Sequence, residues 1–213
     1  MPDDQALTDL ERMMNQARSK LLGASEAALK GELFDVFTEF FKDSSSWLEQ
    51  IPVSIVANTT SYTLIPTQGQ IIRLGGLVDA NNLPQGAIMQ TPPIITLAYT
   101  PTGGSTWTAT VIKNVKLPLA TKSFPDIPPF VLQLYNIVIL DGLLGKMMAQ
   151  VSKPHTNPTQ SLYHLKRFRD GIAQARVATM RANSFGTQSW AFPQQWKTKS
   201  QKSGVSIGNT MGF

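Results

Sequence analysis

The sequence predicts an α+β fold: a helical bundle of about four helices, a small antiparallel β module inserted into it, and an extended C-terminal arm. Three observations carry this expectation. Apolar residues recur at helical spacing before residue 45 and again from about 130 to 183, they alternate with a period of two between about 50 and 112, and both patterns stop after Phe185. The segments are 1–49, an N-terminal helical hairpin; 50–124, the β module; 125–184, the helices completing the bundle; and 185–213, the arm.

The first helix is expected to start at Thr8-Asp9-Leu10-Glu11, a capping-box pattern in which the threonine oxygen accepts from the Glu11 amide. Leu10, Met13, Met14, Ala17 and Leu21 follow at helical spacing, and Gly23 offers a left-handed stop. Ser25 can cap a second helix running to about Asp43 or Trp47, with Leu29, Leu33, Val36, Phe37, Phe40 and Phe41 as its apolar face.

Short β-type runs follow at Val53/Ile55, Tyr62/Leu64, Ile71 to Leu77, Ile95/Leu97/Tyr99 and Trp107/Ala109/Val111. The runs flanking Thr102-Gly103-Gly104-Ser105 read as the clearest hairpin, and Gly75-Gly76 as a bulge or a close backbone approach. Asn81 to Gly86 and Pro92-Pro93 read as connecting loop open to partners.

Prolines 125, 128 and 129 pre-set the next helix. Phe130 to Gln150 is apolar on nearly all sides and should be covered all round, by this chain or another; Gln133, Asn136, Asp141 and Lys146 make it too polar for an ordinary membrane span. Ser152-Lys153-Pro154 ends it. Asn157 and Pro158 open a last helix to about Asn183, with Leu162, Leu165, Phe168, Ile172 and Ala175 facing inward. Beyond it, Trp190, Phe192, Trp196 and Phe213 are large apolar anchors among Lys197, Lys199 and Lys202, a composition that calls for a partner to order it.

Charge is scarce and sorted. Only 15% of the 213 residues are charged, against about 25% in an ordinary soluble domain. Residues 1–49 hold ten of the fourteen acids and carry −5, whereas residues 142–213 carry +9. Such polarity suits a polyanionic partner or the docking of one copy's basic end on another's acidic surface. The plainer alternative is a solvated helix face. With no cysteine there is no disulfide framework, thiol nucleophile or cysteine-based metal site. The acidic, polar first residues argue against a signal peptide, so a soluble intracellular protein is expected.

Neither histidine suggests chemistry. His155 sits in a Lys-Pro-His-Thr-Asn-Pro turn and His164 in a helix, with no partner at i+4 and no carboxylate cluster in sequence, so surface or capping roles are expected for both. Asp170 is the only acid after Asp141, which leaves a Ser-His-Asp arrangement short of candidates. Phosphate-binding and dinucleotide-binding glycine motifs are absent. Glu32, Asp35 and Glu39 read as a solvated or partner-facing surface. The chain is expected to be no enzyme and to need no cofactor or metal.

The order of the pieces is informative. Phe40-Phe41-Lys42-Asp43-Ser44-Ser45-Ser46-Trp47 ends the helical pair; Ile51 to Val56, Thr60 to Leu64 and Gly69 to Leu74 follow; then come Pro128-Pro129, Leu140 to Met148, Lys153-Pro154, Tyr163-His164 with Phe168, and Trp190-Ala191-Phe192-Pro193. Over about residues 25–196 this order resembles the head-to-tail adaptor, or connector, proteins of tailed bacteriophages. The resemblance implies a structural virion protein of the neck, made in the host cytoplasm. Such proteins form a homo-oligomeric ring, usually of twelve copies, beneath the portal protein; they extend the channel for packaged DNA and receive a tail or nozzle protein below, with no membrane involved.

On this view Trp190, Phe192, Trp196, Lys197, Lys199, Lys202 and Phe213 form a portal-docking arm. Glu32, Asp35 and Glu39 of one copy would face Lys166, Arg167, Arg169 and Arg176 of the next. The competing readings are another neck or tail subunit, and a sequence-independent DNA-binding module using Arg167, Arg169, Arg176 and Arg181 on phosphates.

Overall fold

A computed structural model describes residues 3–116 and 127–182, and the chain is α+β. The elements are α1 (Asp3–Lys20), α2 (Glu26–Ser44), β1 (Leu48–Ile55), β2 (Ser61–Thr63), β3 (Gln70–Val78), β4 (Ala87–Thr91), β5 (Ile94–Leu97), β6 (Ser105–Asn114), α3 (Pro129–Met148) and α4 (Pro158–Ala182). The expected arm at 185–213 lies outside the described residues.

The helical hairpin forms around its turn chemistry. Gly23 takes φ +77°, and a Cβ there would meet the Pro154 ring at 3.1 Å, so the α1–α2 link lies against the α3–α4 loop. Ser25 Oγ accepts from the Ala28 amide, and α2 ends at Ser45, left-handed at φ 56°, whose amide donates to Phe41 O. One start was misplaced: α1 begins at Asp3, five residues before Thr8, so the capping-box residues lie inside the helix. No breaker stands between residues 3 and 8, and acids at 3 and 4 suit the positive end of a helix dipole.

Two apolar cores result. The helical core joins Leu10, Met13, Leu21, Phe37, Phe40, Phe41, Ile139, Leu143, Leu144 and Phe168. A separate β core joins Ile51, Val53, Leu64, Ile71, Ile95, Leu97, Trp107 and Val111, contributed by two three-stranded antiparallel sheets ordered β1-β6-β3 and β2-β5-β4.

The expected hairpin at Thr102 to Ser105 does not exist, because that segment carries the chain from one sheet to the other. β6 already has β1 on one edge and β3 on the other, so no edge is left for β5. The tight hairpin is instead β4–β5, turning at Pro92-Pro93, and β4 lies between the two stretches that read as loop, where no β run was expected. Register shifts between Leu74 and Gly76 mark the bulge expected at Gly75-Gly76, and a Cβ on Gly75 would meet Thr110 O at 3.2 Å. The tip at 79–86 is shaped by Asp79, whose carboxylate accepts from the amides of Asn81 and Leu83 and from Gln85 Nε2.

A polar layer joins the cores. Lys113, 3% exposed, pairs with Glu49 at 2.9 Å and lies 4.5 Å over the Trp47 ring. Thr67 donates to the same carboxylate from its amide and its hydroxyl, and Asn114 Nδ2 donates to Thr38 O on α2. Burial pushes the Glu49 carboxyl up, but the hydrogen bonds from Lys113 and Thr67 outweigh it and hold it below its ordinary value.

The helices that complete the bundle depart from expectation at three positions. α3 starts at Pro129 as expected, yet Leu134 is 70% and Ile137 60% exposed, on either side of the non-helical residue Tyr135, so this chain covers the helix on all sides only from Val138 onward. By length and composition alone α3 could also cross a membrane, with half of its most apolar window buried by this chain. Asn157 Oδ1 accepts from the Gln160 amide and opens α4. Phe168, Ile172 and Ala175 face inward as expected, but Leu162 points outward at 71% exposure, and Ser161 and His164 take the inward positions of the first two turns.

The crossing of α3 and α4 needs that phase, because a Cβ on Gly142 would lie 2.8 Å from Val36 and 2.9 Å from Phe168, and one on Gly145 would lie 2.8 Å from Leu165. Gly142→Ala should therefore cost about 1–3 kcal/mol through overpacking. Gly31→Ala, in open space on α2, should gain about 0.5–1 kcal/mol. Urea denaturation of the two variants reads both signs.

A second expectation concerns acid. Because the folded Glu49 carboxyl lies below its ordinary value of 4.5, its contribution is complete above that value and is lost as pH falls through the folded one. Glu49→Gln should therefore be less stable than the wild type at neutral pH, with the gap closing below about pH 4.5. Urea midpoints across that range check this, and a gap that is constant with pH would contradict it.

Candidate functional site

The charged residues of three elements meet in a surface cleft of about 470 Å³ lined by Glu39, Lys42 and Asp43 of α2, Arg73 of β3, and Arg169, Ile172, Ala173 and Arg176 of α4. The spacing of each set puts it on one helix face. Residues 39, 42 and 43 are one such group, and 169, 172, 173 and 176 the other. Arg73 enters from the sheet and donates through Nη2 to Ser45 Oγ, the cap residue of α2. Glu39 is engaged by Lys146 of α3 at 2.8 Å. Among the described residues, Lys42, Arg169 and Arg176 form no ion pair or hydrogen bond.

A second cluster sits at the α3–α4 crossing. His164 Nδ1 lies 2.7 Å from Asp141 Oδ1, both side chains nearly buried, and Arg167 Nε approaches Asp141 Oδ2 at 3.1 Å while its guanidinium sits over the Tyr163 ring. The Tyr163 hydroxyl, then the Asp141 charge, push the Arg167 guanidinium above its ordinary value. Ser161 is also at this crossing, but its hydroxyl donates to Gly145 O at 2.7 Å, so its proton is directed at a carbonyl and not at the imidazole.

The surface or capping roles expected for the histidines are thereby corrected. His164 is a buried partner of an acid that the sequence had not joined to it. His155 is buried too, with neither ring nitrogen hydrogen-bonded. A signal for the first was available: Asp141 interrupts an otherwise apolar run, and a buried carboxylate needs a donor from a neighbouring element. Among the described residues, no group of three or more His, Asp or Glu side chains could hold a metal ion.

The sequence-predicted residues divide four ways. Glu39, Arg169 and Arg176 converge on the cleft within one chain. Glu32 accepts from Gln150 Nε2 at 3.0 Å, and Arg167 is held at Asp141. Asp35 and Lys166 are exposed. Trp190, Phe192, Trp196, Lys197, Lys199, Lys202 and Phe213 lie outside the described residues. Sequence reasoning missed Lys42, Asp43 and Arg73 as members of the cleft; the helix spacing contains the first two, but only the folded sheet brings Arg73 to them.

Comparison of the chain with protein-family models and with curated proteins finds no match.

The Asp141–His164 contact makes a testable energetic claim. In a double-mutant cycle of Asp141→Asn and His164→Gln, the two changes should be non-additive by about 1 kcal/mol or more. Additive losses in urea denaturation would mean that the two side chains do not depend on each other.

Proposed function

We propose that the chain is the subunit of a head-to-tail adaptor ring of a tailed bacteriophage, docking under the portal, extending the DNA channel and receiving the tail. The observation that carries this reading is α3. It is apolar on all sides, yet Gln133, Leu134, Asn136 and Ile137 form an exposed, uncharged strip along its first half. Such a strip on the central helix of a bundle is what a second subunit would cover. The element order supports the same reading, with the β module between the hairpin α1–α2 and the pair α3–α4.

In a closed ring, the contact between neighbours is heterologous, so opposite flanks of one subunit carry complementary surfaces. Asp35 of the acidic set and Lys166, Arg169 and Arg176 of the basic set are exposed and available for it; Glu32, Glu39 and Arg167 are engaged within the chain. The arm would dock on portal through Trp190, Phe192, Trp196 and Phe213, with Lys197, Lys199 and Lys202 steering the approach. The reading involves no catalysis, cofactor, metal or membrane, and the protein works in the virion neck.

Negative-stain images of the purified protein, alone and mixed with its cognate portal, test the proposal. A ring with an axial hole in the mixture is expected. A monomer beside portal that shifts DNA in a gel at physiological salt would favour the DNA-binding module instead. Deleting residues 186–213 should leave a folded protein that no longer binds portal, and unchanged affinity after deletion would remove the arm from the account.

A further inference from the structure

The cleft between α2, β3 and α4 gathers Arg169 and Arg176 with Lys42 and Arg73, cations that a neighbouring copy's acids or another anion could meet. Its composition is unbalanced: Lys42, Arg73, Arg169 and Arg176 face two acids, Glu39 and Asp43, and Lys146 already holds the Glu39 carboxylate at 2.8 Å. Cations crowded on one concave wall repel each other and raise the local concentration of anions. We propose that this cleft binds a run of phosphate groups, either a stretch of nucleic-acid backbone or a free polyphosphate.

The chemistry favours phosphate in three respects. The two guanidinium groups on α4, at positions 169 and 176, stand about two turns apart on one helix face, and with Lys42 they make no ion pair or hydrogen bond among the described residues. Their donors are therefore available for the forked contact that planar guanidinium makes with phosphate oxygens. Arg73 is held in place by Ser45, which reduces the ordering needed on binding. The cleft volume of about 470 Å³ exceeds what a single phosphate needs and falls within the range of sites that take extended ligands.

An acidic face from a second copy would use the same charges through the exposed Glu11, Asp35 or Asp170, and competition by polyglutamate separates that case; four other acids are engaged within the chain. Glu26 is paired with Arg18 and Lys30, Glu32 with Gln150, Glu39 with Lys146 and Glu49 with Lys113. The phosphate assignment also stands apart from the adaptor reading, because it is tested on the unassembled protein.

The full chain is titrated at low salt with sodium tripolyphosphate and, separately, with a labelled oligothymidylate and a short DNA duplex. Saturable binding of at least one probe is expected, weakened about tenfold or more by Arg169→Gln/Arg176→Gln and by a smaller factor by Lys42→Gln. Asp43→Asn should tighten it. For the duplex, the log–log salt slope should fall by about 2 in the double variant.

Binding of tripolyphosphate alone identifies a free polyphosphate, and binding of the DNA probes identifies a backbone. The comparison variant Arg12→Gln/Lys20→Gln removes two exposed cations from α1 and should leave binding unchanged. Absence of saturable binding to all three probes, an equal loss in the α1 variant, or competition by polyglutamate as strong as by tripolyphosphate would overturn the proposal. Urea midpoints confirm that each variant is folded.

Discussion

The structure depends on one polar layer between two apolar cores. Trp47 and Val115 belong to the helical core, whereas Ile51 and Val111 belong to the β core. Between them the chain buries an ammonium group, that of Lys113, which would be very costly without a partner. Glu49 supplies the charge, Thr67 fixes the carboxylate, and the Trp47 face receives the cation. This constraint also sets the way in and the way out of the β module. The amide of Lys113 donates to Trp47 O at 2.8 Å, so β1 leaves α2 at the point where β6 returns to it.

The second half of the bundle is organised by the closeness of α3 and α4. Glycines at 142 and 145 let Phe168 and Leu165 approach the backbone of α3, and that approach brings polar residues of α4 against α3. Ser161 then meets the Gly145 carbonyl and His164 meets Asp141. Each polar group at the crossing has a named partner, so the crossing angle is specified by hydrogen bonds as well as by packing. Val36 of α2 touches the same glycine site, so a change at the crossing would be felt across three helices.

Local patterns in the sequence were legible where the deciding interactions are local. The Ser25 cap, the Gly23 stop, the Pro128-Pro129 start and the Asn157 cap each rest on residues within a few positions of one another, and the structure contains all four. Sheet pairing failed, because the strand that looked free to pair with β5 is claimed on both edges by strands remote in sequence. The inward face of α4 was legible at Phe168, Ile172 and Ala175 and failed only at Leu162, in the first turn. Leu162 is the more apolar residue, but the first turn of α4 turns Ser161 inward to donate to the Gly145 carbonyl, and propensity gives no warning of that. The cleft was half legible: Arg169 and Arg176 were identified as basic, while Arg73 and Asp43 reach them only through tertiary structure.

The low charge content gains a physical meaning from this arrangement. Several of the acids that made the N-terminal segment look like a free acidic surface are engaged within the chain, at Arg18, Lys30, Gln150, Lys146 and Lys113. The basic surplus of the last helix is different, since Arg169 and Arg176 make no such contact and Lys166 is exposed. A chain built in this way engages several of its carboxylates internally, while the cations on the cleft wall of α4 stay exposed. Its uncharged α3 strip stays exposed as well. An apolar strip suits a packed protein neighbour, whereas unpaired guanidinium groups suit an anion with oxygens to accept from them. On the two proposals the surfaces serve different partners, a protein neighbour at α3 and a phosphate-bearing anion at α4.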